Sequence, residues 1–138
     1  MTNACVCDAS AAFALMLRSQ ETGASVAFGA QLPGGMFVPV HVLIEVRQAL
    51  RTLERRGVIP EAALDEPLGQ LEIGLTLGPP LEAHDLARIL VLARHDRLAF
   101  CDAVYLDMAI ESGVPLASRD GPLLAAATHR GVAVLDLR

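Results

Sequence analysis

Short apolar runs of strand character alternate along this chain with longer segments of helical periodicity, and that alternation is the strongest constraint on its fold. Strands separated by helices pair in parallel, because a parallel connection must cross over a face of the sheet. Ala4-Cys5-Val6-Cys7 opens the series, Met36-Phe37-Val38 follows and is ended by Pro39, and Leu75-Thr76-Leu77 stands before the Gly-Pro-Pro break at 78–80. Val114-Pro115-Leu116-Ala117 and Val132-Ala133-Val134-Leu135 complete it. Between them the spacing predicts helices over Ala11 to about Gln20, with Ser10 as cap, and over a short stretch around Ser25 to Ala30. Val40 to Arg56 is strongly amphipathic, with Leu43, Val46, Leu50 and Leu53 at helical spacing before Gly57. Further helices are expected over Pro60 to about Ile73, with Glu61 in the first turn, and over Glu82 to His95, Asp102 to Glu111 and Pro122 to His129. The pattern predicts an α/β domain with a central, mostly parallel sheet.

At 138 residues there is room for one domain, 1–138, and a composition that is 53% hydrophobic is too apolar for disorder. No run reaches the roughly 18 apolar residues a membrane helix needs. The surplus apolar surface points instead to a homo-oligomer or a partner groove. The start of the chain lacks the basic segment and long apolar core of a signal peptide, which places the expected location in the cytoplasm. Cys5, Cys7 and Cys101 agree with a reducing compartment: the number is odd, and Cys5 and Cys7 flank Val6 in a strand, as buried reduced thiols would. A net charge of −5 argues at first against a nucleic-acid partner. All 11 basic residues are arginine, and without lysine the chain has neither a P-loop nor a Schiff-base nucleophile.

Four acids stand out by position. Asp8 directly follows the first strand, and Asp120 follows the Val114–Ala117 run after Ser118-Arg119. Both fall at the sheet's carboxyl edge, where open parallel sheets form their sites. Asp102 falls at a helix start, where the positive end of the dipole tolerates a carboxylate. Glu45 lies between Ile44 and Val46 in an apolar run, and a carboxylate near buried surface needs partners, which a metal ion would supply. Singly, each acid has a plainer reading: Asp8 and Asp120 as loop or cap residues, Asp102 as a dipole residue, Glu45 as a solvent-facing side chain.

The segments around the acids are more specific. Val6-Cys7-Asp8-Ala9-Ser10, Val38-Pro39 with Ile44-Glu45-Val46 and Ala49-Leu50, and Leu98-Ala99-Phe100-Cys101-Asp102-Ala103-Val104-Tyr105-Leu106 are the first three. Pro115-Leu116-Ala117-Ser118-Arg119-Asp120 and Leu123 with Ala126-Ala127 and Gly131-Val132 complete them. Over nearly its whole length the chain resembles a PIN-domain ribonuclease of the VapC toxin type. That family carries a first-strand aspartate followed two residues later by Ser or Thr, then a helix glutamate, an aspartate-alanine pair, and an aspartate two residues after Thr or Ser. Asp8 with Ser10, Glu45, Asp102 and Asp120 with Ser118 fill those positions. Cys101 stands where an aromatic is common, Ser118 where Thr is commoner, and Asp107 where a small apolar residue is usual. Asp107 is about 140° round a helix from Asp102 and is left outside the site.

The resemblance implies a PIN-like three-layer α/β/α fold and hydrolysis of RNA phosphodiester bonds with Mg²⁺ or Mn²⁺. Hard divalent cations prefer oxygen ligands, and four converging carboxylates would repel one another unless a cation sat among them. Asp8, Asp102 and Asp120 are the expected ligands, with Glu45 as either a ligand or a water-positioning base. Ser10 and Ser118 are expected to orient carboxylates, and Arg119 to contact phosphate. The implied partners are an RNA substrate, a small antitoxin whose tail enters the site, and a second copy in a homodimer. Arg47, Arg51 and Arg55 form a stripe at helical spacing, but residues 45 and 47 are about 200° apart on the wheel, so the stripe reads as a solvated face. His41, His84, His95 and His129 show no ligand spacing and read as structural or surface residues. Three rival readings remain. A catalytically silent PIN-like RNA- or protein-binding module would keep all four acids without using them. An aspartyl-phosphate enzyme would want a second acid beside Asp8 and a lysine, and has neither. A purely structural oligomer leaves Glu45 unexplained.

Overall fold

The computed structural model describes residues 4–16 and 35–138. The helix expected around Ser25 to Ala30, and the end of the first one towards Gln20, lie outside the described residues. Among the described residues five short strands form the sheet: β1 Cys5–Cys7, β2 Met36–Val38, β3 Leu75–Leu77, β4 Leu116–Ser118 and β5 Val134–Asp136. Among the described residues six helices accompany them: α1 Ala9–Met16, α2 Val42–Arg55, α3 Asp65–Ile73, α4 Ala83–Asp96, α5 Phe100–Ser112 and α6 Gly121–His129. The strand order is β3-β2-β1-β4-β5 and every pairing is parallel. The chain steps outward one way through β1, β2 and β3 and the other way through β4 and β5. Right-handed crossovers therefore put α1, α2 and α3 on one face and α4, α5 and α6 on the other, which makes the three-layer α/β/α architecture.

Burial follows from this order. The central strands β1 and β4 are covered on both faces, so Val6, Cys7, Leu116 and Ala117 are fully buried, while the edge strands β3 and β5 are largely exposed. Tyr105, Leu106, Leu123 and Val38 fill the space between sheet and helices. The amphipathic reading of α2 holds: Val46 and Leu50 are buried, and Leu43 and Leu53 are packed partly against the core.

Several expected boundaries shift for identifiable reasons. Ser10 does not cap α1. It lies in the first turn, and the Asp8 carboxylate takes the capping role by accepting from the Ala11 backbone N–H at 2.9 Å. The helix expected from Pro60 begins only at Asp65, because Ala62 adopts a left-handed φ of 63° and holds the preceding residues in turns. α2 begins at Val42, after a tight turn in which the Val42 N–H reaches the Pro39 carbonyl. β5 starts two residues late because the Val132 N–H still closes the end of α6 on the Ala127 carbonyl. α5 starts earlier than expected, at Phe100, which makes Asp102 its third residue.

Candidate active site

Strand order reverses between β1 and β4, and the crevice beyond their carboxyl ends is the place where open parallel sheets bind ligands. β1 pairs with β4 with Val6 opposite Leu116 and Cys7 opposite Ala117, so the next residue, Asp8, arrives beside Ser118. Ser118 Oγ donates to Asp8 Oδ2 at 2.6 Å, and Ser10 Oγ donates to Asp8 Oδ1 at 2.7 Å. The two serines also organise the facing loop: Ser10 Oγ accepts from the Arg119 N–H at 2.9 Å and Ser118 Oγ accepts from the Asp120 N–H at 2.9 Å. Asp120 caps α6, its Oδ1 accepting from the Leu123 N–H at 2.9 Å.

All four sequence-predicted acids thus stand at a helix N-terminus. Asp8 precedes α1, Glu45 and Asp102 lie in the first turns of α2 and α5, and Asp120 caps α6. The positive ends of four helix dipoles partly offset the carboxylate charge gathered there. The offset is incomplete. The Asp102 carboxyl is pushed up to about 6, first by burial and then by the negative charges of Asp120, Asp8 and Glu45, with His41 opposing. Asp8, 4% exposed, is raised by burial in spite of its three hydrogen bonds, and Asp120 adds to the rise.

The acids share a field but not a tight ligand shell. Among the described residues, the group of three whose ligand atoms lie within 4.8 Å of one another is His41, Glu45 and Cys101, not three of the four acids. Asp8 is drawn back onto Ser10 and Ser118, and Glu45 is held from the other side. Tyr105 donates to Glu45 Oε1 at 3.4 Å, and His41 Nε2 lies 2.9 Å from the same oxygen. The His41 ring also packs on Tyr105 with centroids 4.6 Å apart. The Tyr105 hydroxyl is kept protonated far above its ordinary range by burial, then by Glu45 and Asp8. His41 is therefore neither a remote surface residue nor idle core. Its i, i+4 spacing to Glu45 was the available signal, whereas the contact of Tyr105 with Glu45 joins residues 60 apart in sequence.

Other sequence-level readings fall on either side. Asp107 is outside the site as expected: its buried carboxylate is gripped by Arg88 Nε at 3.1 Å and Nη2 at 2.9 Å. Arg47 pairs with Glu72 across α2 and α3, and Arg51 with Glu54 on α2, as a solvated face would. Cys5 and Cys7 are buried free thiols and Cys101 is an exposed one. No helix among the described residues is long and apolar enough to cross a membrane.

The donors present suit a hard divalent cation. Asp8 Oδ1 accepts two hydrogen bonds and Oδ2 one, which leaves a lone pair on Oδ2 for an ion. Asp102, raised by burial and then by neighbouring negative charge, is a carboxylate that a cation between itself and those neighbours would favour in its charged form.

Comparison with known proteins places this arrangement in a family. The PIN-domain profile matches residues 5–128. Ribonuclease VapC3 of Mycobacterium tuberculosis is 32% identical over 124 residues, 88% of this chain and 85% of that protein. Among solved structures, PAE2754 of Pyrobaculum aerophilum has the same fold with a TM-score of 0.77 and 23% identity, covering 98% of this chain and 91% of its own. FitAcB of Neisseria gonorrhoeae aligns with a TM-score of 0.63 and 21% identity over 95% of this chain and 96% of its own. The match to the family over residues 5–128 and the 32% identity to a VapC ribonuclease show it: the chain belongs to the PIN-domain family and, within it, to the VapC type.

Proposed function

We propose that the chain, as one domain over 1–138, is a metal-dependent endoribonuclease and the toxin of a toxin–antitoxin pair. The observation that carries this reading is Asp102, raised to about 6 by burial and by three other carboxylates at the point where strand order reverses. Groups perturbed in that way mark functional sites, and here the perturbation is one that a divalent cation relieves. Asp8 through Oδ2, Asp102 and Asp120 would hold Mg²⁺ or Mn²⁺, with Glu45 as a further ligand or as the base. When bound, the ion lowers the pKa of water and neutralises charge on the phosphate.

The chain's own groups supply the rest. Ser10 and Ser118 fix the Asp8 carboxylate. Tyr105 holds Glu45 where it would accept the proton of the attacking water, whose oxygen bonds to phosphorus as the bond to the leaving sugar oxygen breaks and that oxygen takes a proton from solvent. Arg119, between Ser118 and Asp120, is assigned the phosphate contact. RNA as substrate is supported by the likeness to a ribonuclease. A cytoplasmic location, a small antitoxin that blocks the crevice and a homodimer follow from the VapC resemblance. The exposed apolar side chains of Val40, Ile44 and Phe100, next to His41, Glu45 and Cys101 in sequence, offer surface for such partners. Gel filtration that returns only monomer would remove the dimer.

The test is incubation of purified protein with structured RNAs in Mg²⁺, in Mn²⁺ and in chelator, beside Asp8→Asn. Cutting is expected in either metal, at least about 100-fold slower in Asp8→Asn, and absent in chelator. Equal cutting by the variant, or cutting that survives chelator, rejects the assignment.

A further inference from the structure

We propose that His41, Glu45 and Cys101 form a second cation site at the rim of the acidic crevice, one that takes Zn²⁺ and in doing so withdraws Glu45 from catalysis. The site itself stands on geometry. Its effect on activity rests on the nuclease reading above.

The ligand atoms of the three residues already lie within 4.8 Å of one another. Ligands around a tetrahedral Zn²⁺, each about 2.0–2.3 Å from the ion, stand about 3.3–3.8 Å apart. Closing that difference is a matter of about 1 Å between side-chain atoms. His41 and Glu45 share one face at the start of α2, and Cys101 is in the first turn of α5. Three protein ligands leave the fourth position to water, the pattern of an open zinc site.

Two further observations point to a ligand. His41 Nε2 is buried and turned to Glu45 Oε1 at 2.9 Å, an ion-pair contact without hydrogen-bond geometry, so the two ligand atoms already face each other. Cys101 is exposed, which gives an ion from solvent a path to the sulfur, whereas Cys5 and Cys7 are buried within β1. The donor set also separates this site from its neighbour. Nitrogen, oxygen and sulfur together suit Zn²⁺, while carboxylates alone suit Mg²⁺ or Mn²⁺. On binding, the Cys101 thiol releases its proton to solvent and the sulfur ligates as thiolate. With one Glu45 oxygen committed to Zn²⁺, the carboxylate no longer serves the attacking water.

The test has two arms on the reduced, metal-free full chain. In the first, Cd²⁺ is added stepwise and the ultraviolet thiolate-to-Cd²⁺ charge-transfer band is followed, then chased with Zn²⁺. One equivalent is expected to saturate the band and Zn²⁺ to abolish it. Cys101→Ser, an exposed change, is expected to eliminate the band, and His41→Gln to weaken Zn²⁺ binding at least about tenfold. A band that persists in Cys101→Ser, and so arises at Cys5 and Cys7, overturns the site. In the second arm RNA cleavage in saturating Mg²⁺ is measured with and without one equivalent of Zn²⁺, each protein against its own zinc-free rate. Inhibition at least about tenfold weaker in Cys101→Ser than in the unaltered chain supports the regulatory link, and equal inhibition overturns it. A chain that binds Cd²⁺ through Cys101 but cuts no RNA in Mg²⁺ keeps the site and rejects the nuclease reading.

Discussion

Asp8 accepts three hydrogen bonds and is still held above the ordinary carboxylate range, because loss of water outweighs the donors. Ser118, fully buried, is one of the groups that set this balance. Ser118→Ala removes the 2.6 Å donor to Oδ2 and the acceptor for the Asp120 N–H. It is expected to lower stability by about 1–3 kcal/mol in urea denaturation, with Ser118→Thr recovering most of it. No change in the midpoint would mean that water replaces the hydroxyl. Asp102 gives a pH signature. Its folded-state value of about 6 lies above its ordinary 3.8, so the folded chain holds the extra proton between those limits. Its stabilising contribution is full below that window and lost as pH rises through 6. In chelator, the stability difference between the unaltered chain and Asp102→Asn is therefore expected to grow in favour of Asn from about pH 4 to pH 7. A difference constant with pH would discard the assignment. At this scale the sequence revealed the acids, since strand ends and helix starts are local patterns. It hid how they are held, because Ser118 meets Asp8, and Tyr105 meets Glu45, only after the sheet has assembled.

At the scale of elements, α4 and α5 are tied by Arg88, which grips Asp107 with two hydrogen bonds and also reaches Asp85 at 3.1 Å. The clamp fixes the helix that carries Asp102. Removing Arg88 strands a carboxylate that is 6% exposed, and the loss is moderated because the Arg88 side chain itself is 43% exposed. Arg88→Met is expected to lower the urea midpoint, and the double change with Asp107→Leu to regain most of the loss. A double variant no more stable than Arg88→Met would show that packing, not the stranded charge, is the cause. Asp107 was legible as a residue turned away from the crevice from its angle to Asp102, but not its partner, 19 residues earlier on another helix. Element type was legible throughout the described residues because periodicity is local. Boundaries were less so: Ala62 breaks a helix by a backbone conformation that its side chain does not advertise, and Asp8 takes the cap from Ser10 because it is already at the strand end.

For the molecule as a whole, the fold sends the starts of α1, α2, α5 and α6 to one edge of the sheet, and with them four acids from a chain of net charge −5. Such a crevice is a local defect in the absence of a cation: the dipoles reduce the repulsion, yet Asp102 still reports it. Stability and metal binding should consequently oppose each other at the same residue. In chelator at neutral pH, Asp102→Asn is expected to melt at a higher temperature than the unaltered chain, because a charge disfavoured by burial and then by its neighbours has been removed. On addition of Mg²⁺ the order should reverse or close, since an ion that binds only the folded state adds about 2.7 kcal/mol at 100 times its dissociation constant. The variant, one ligand short, should gain little at the same concentration. Thermal melts of both proteins with and without Mg²⁺ decide the matter. If Asp102→Asn were the less stable protein in chelator, the carboxylate would be serving the fold. If both gained equally from Mg²⁺, the ion would be binding elsewhere. Only the crossed result makes the crevice a place where the chain gives up folding stability to hold a cation.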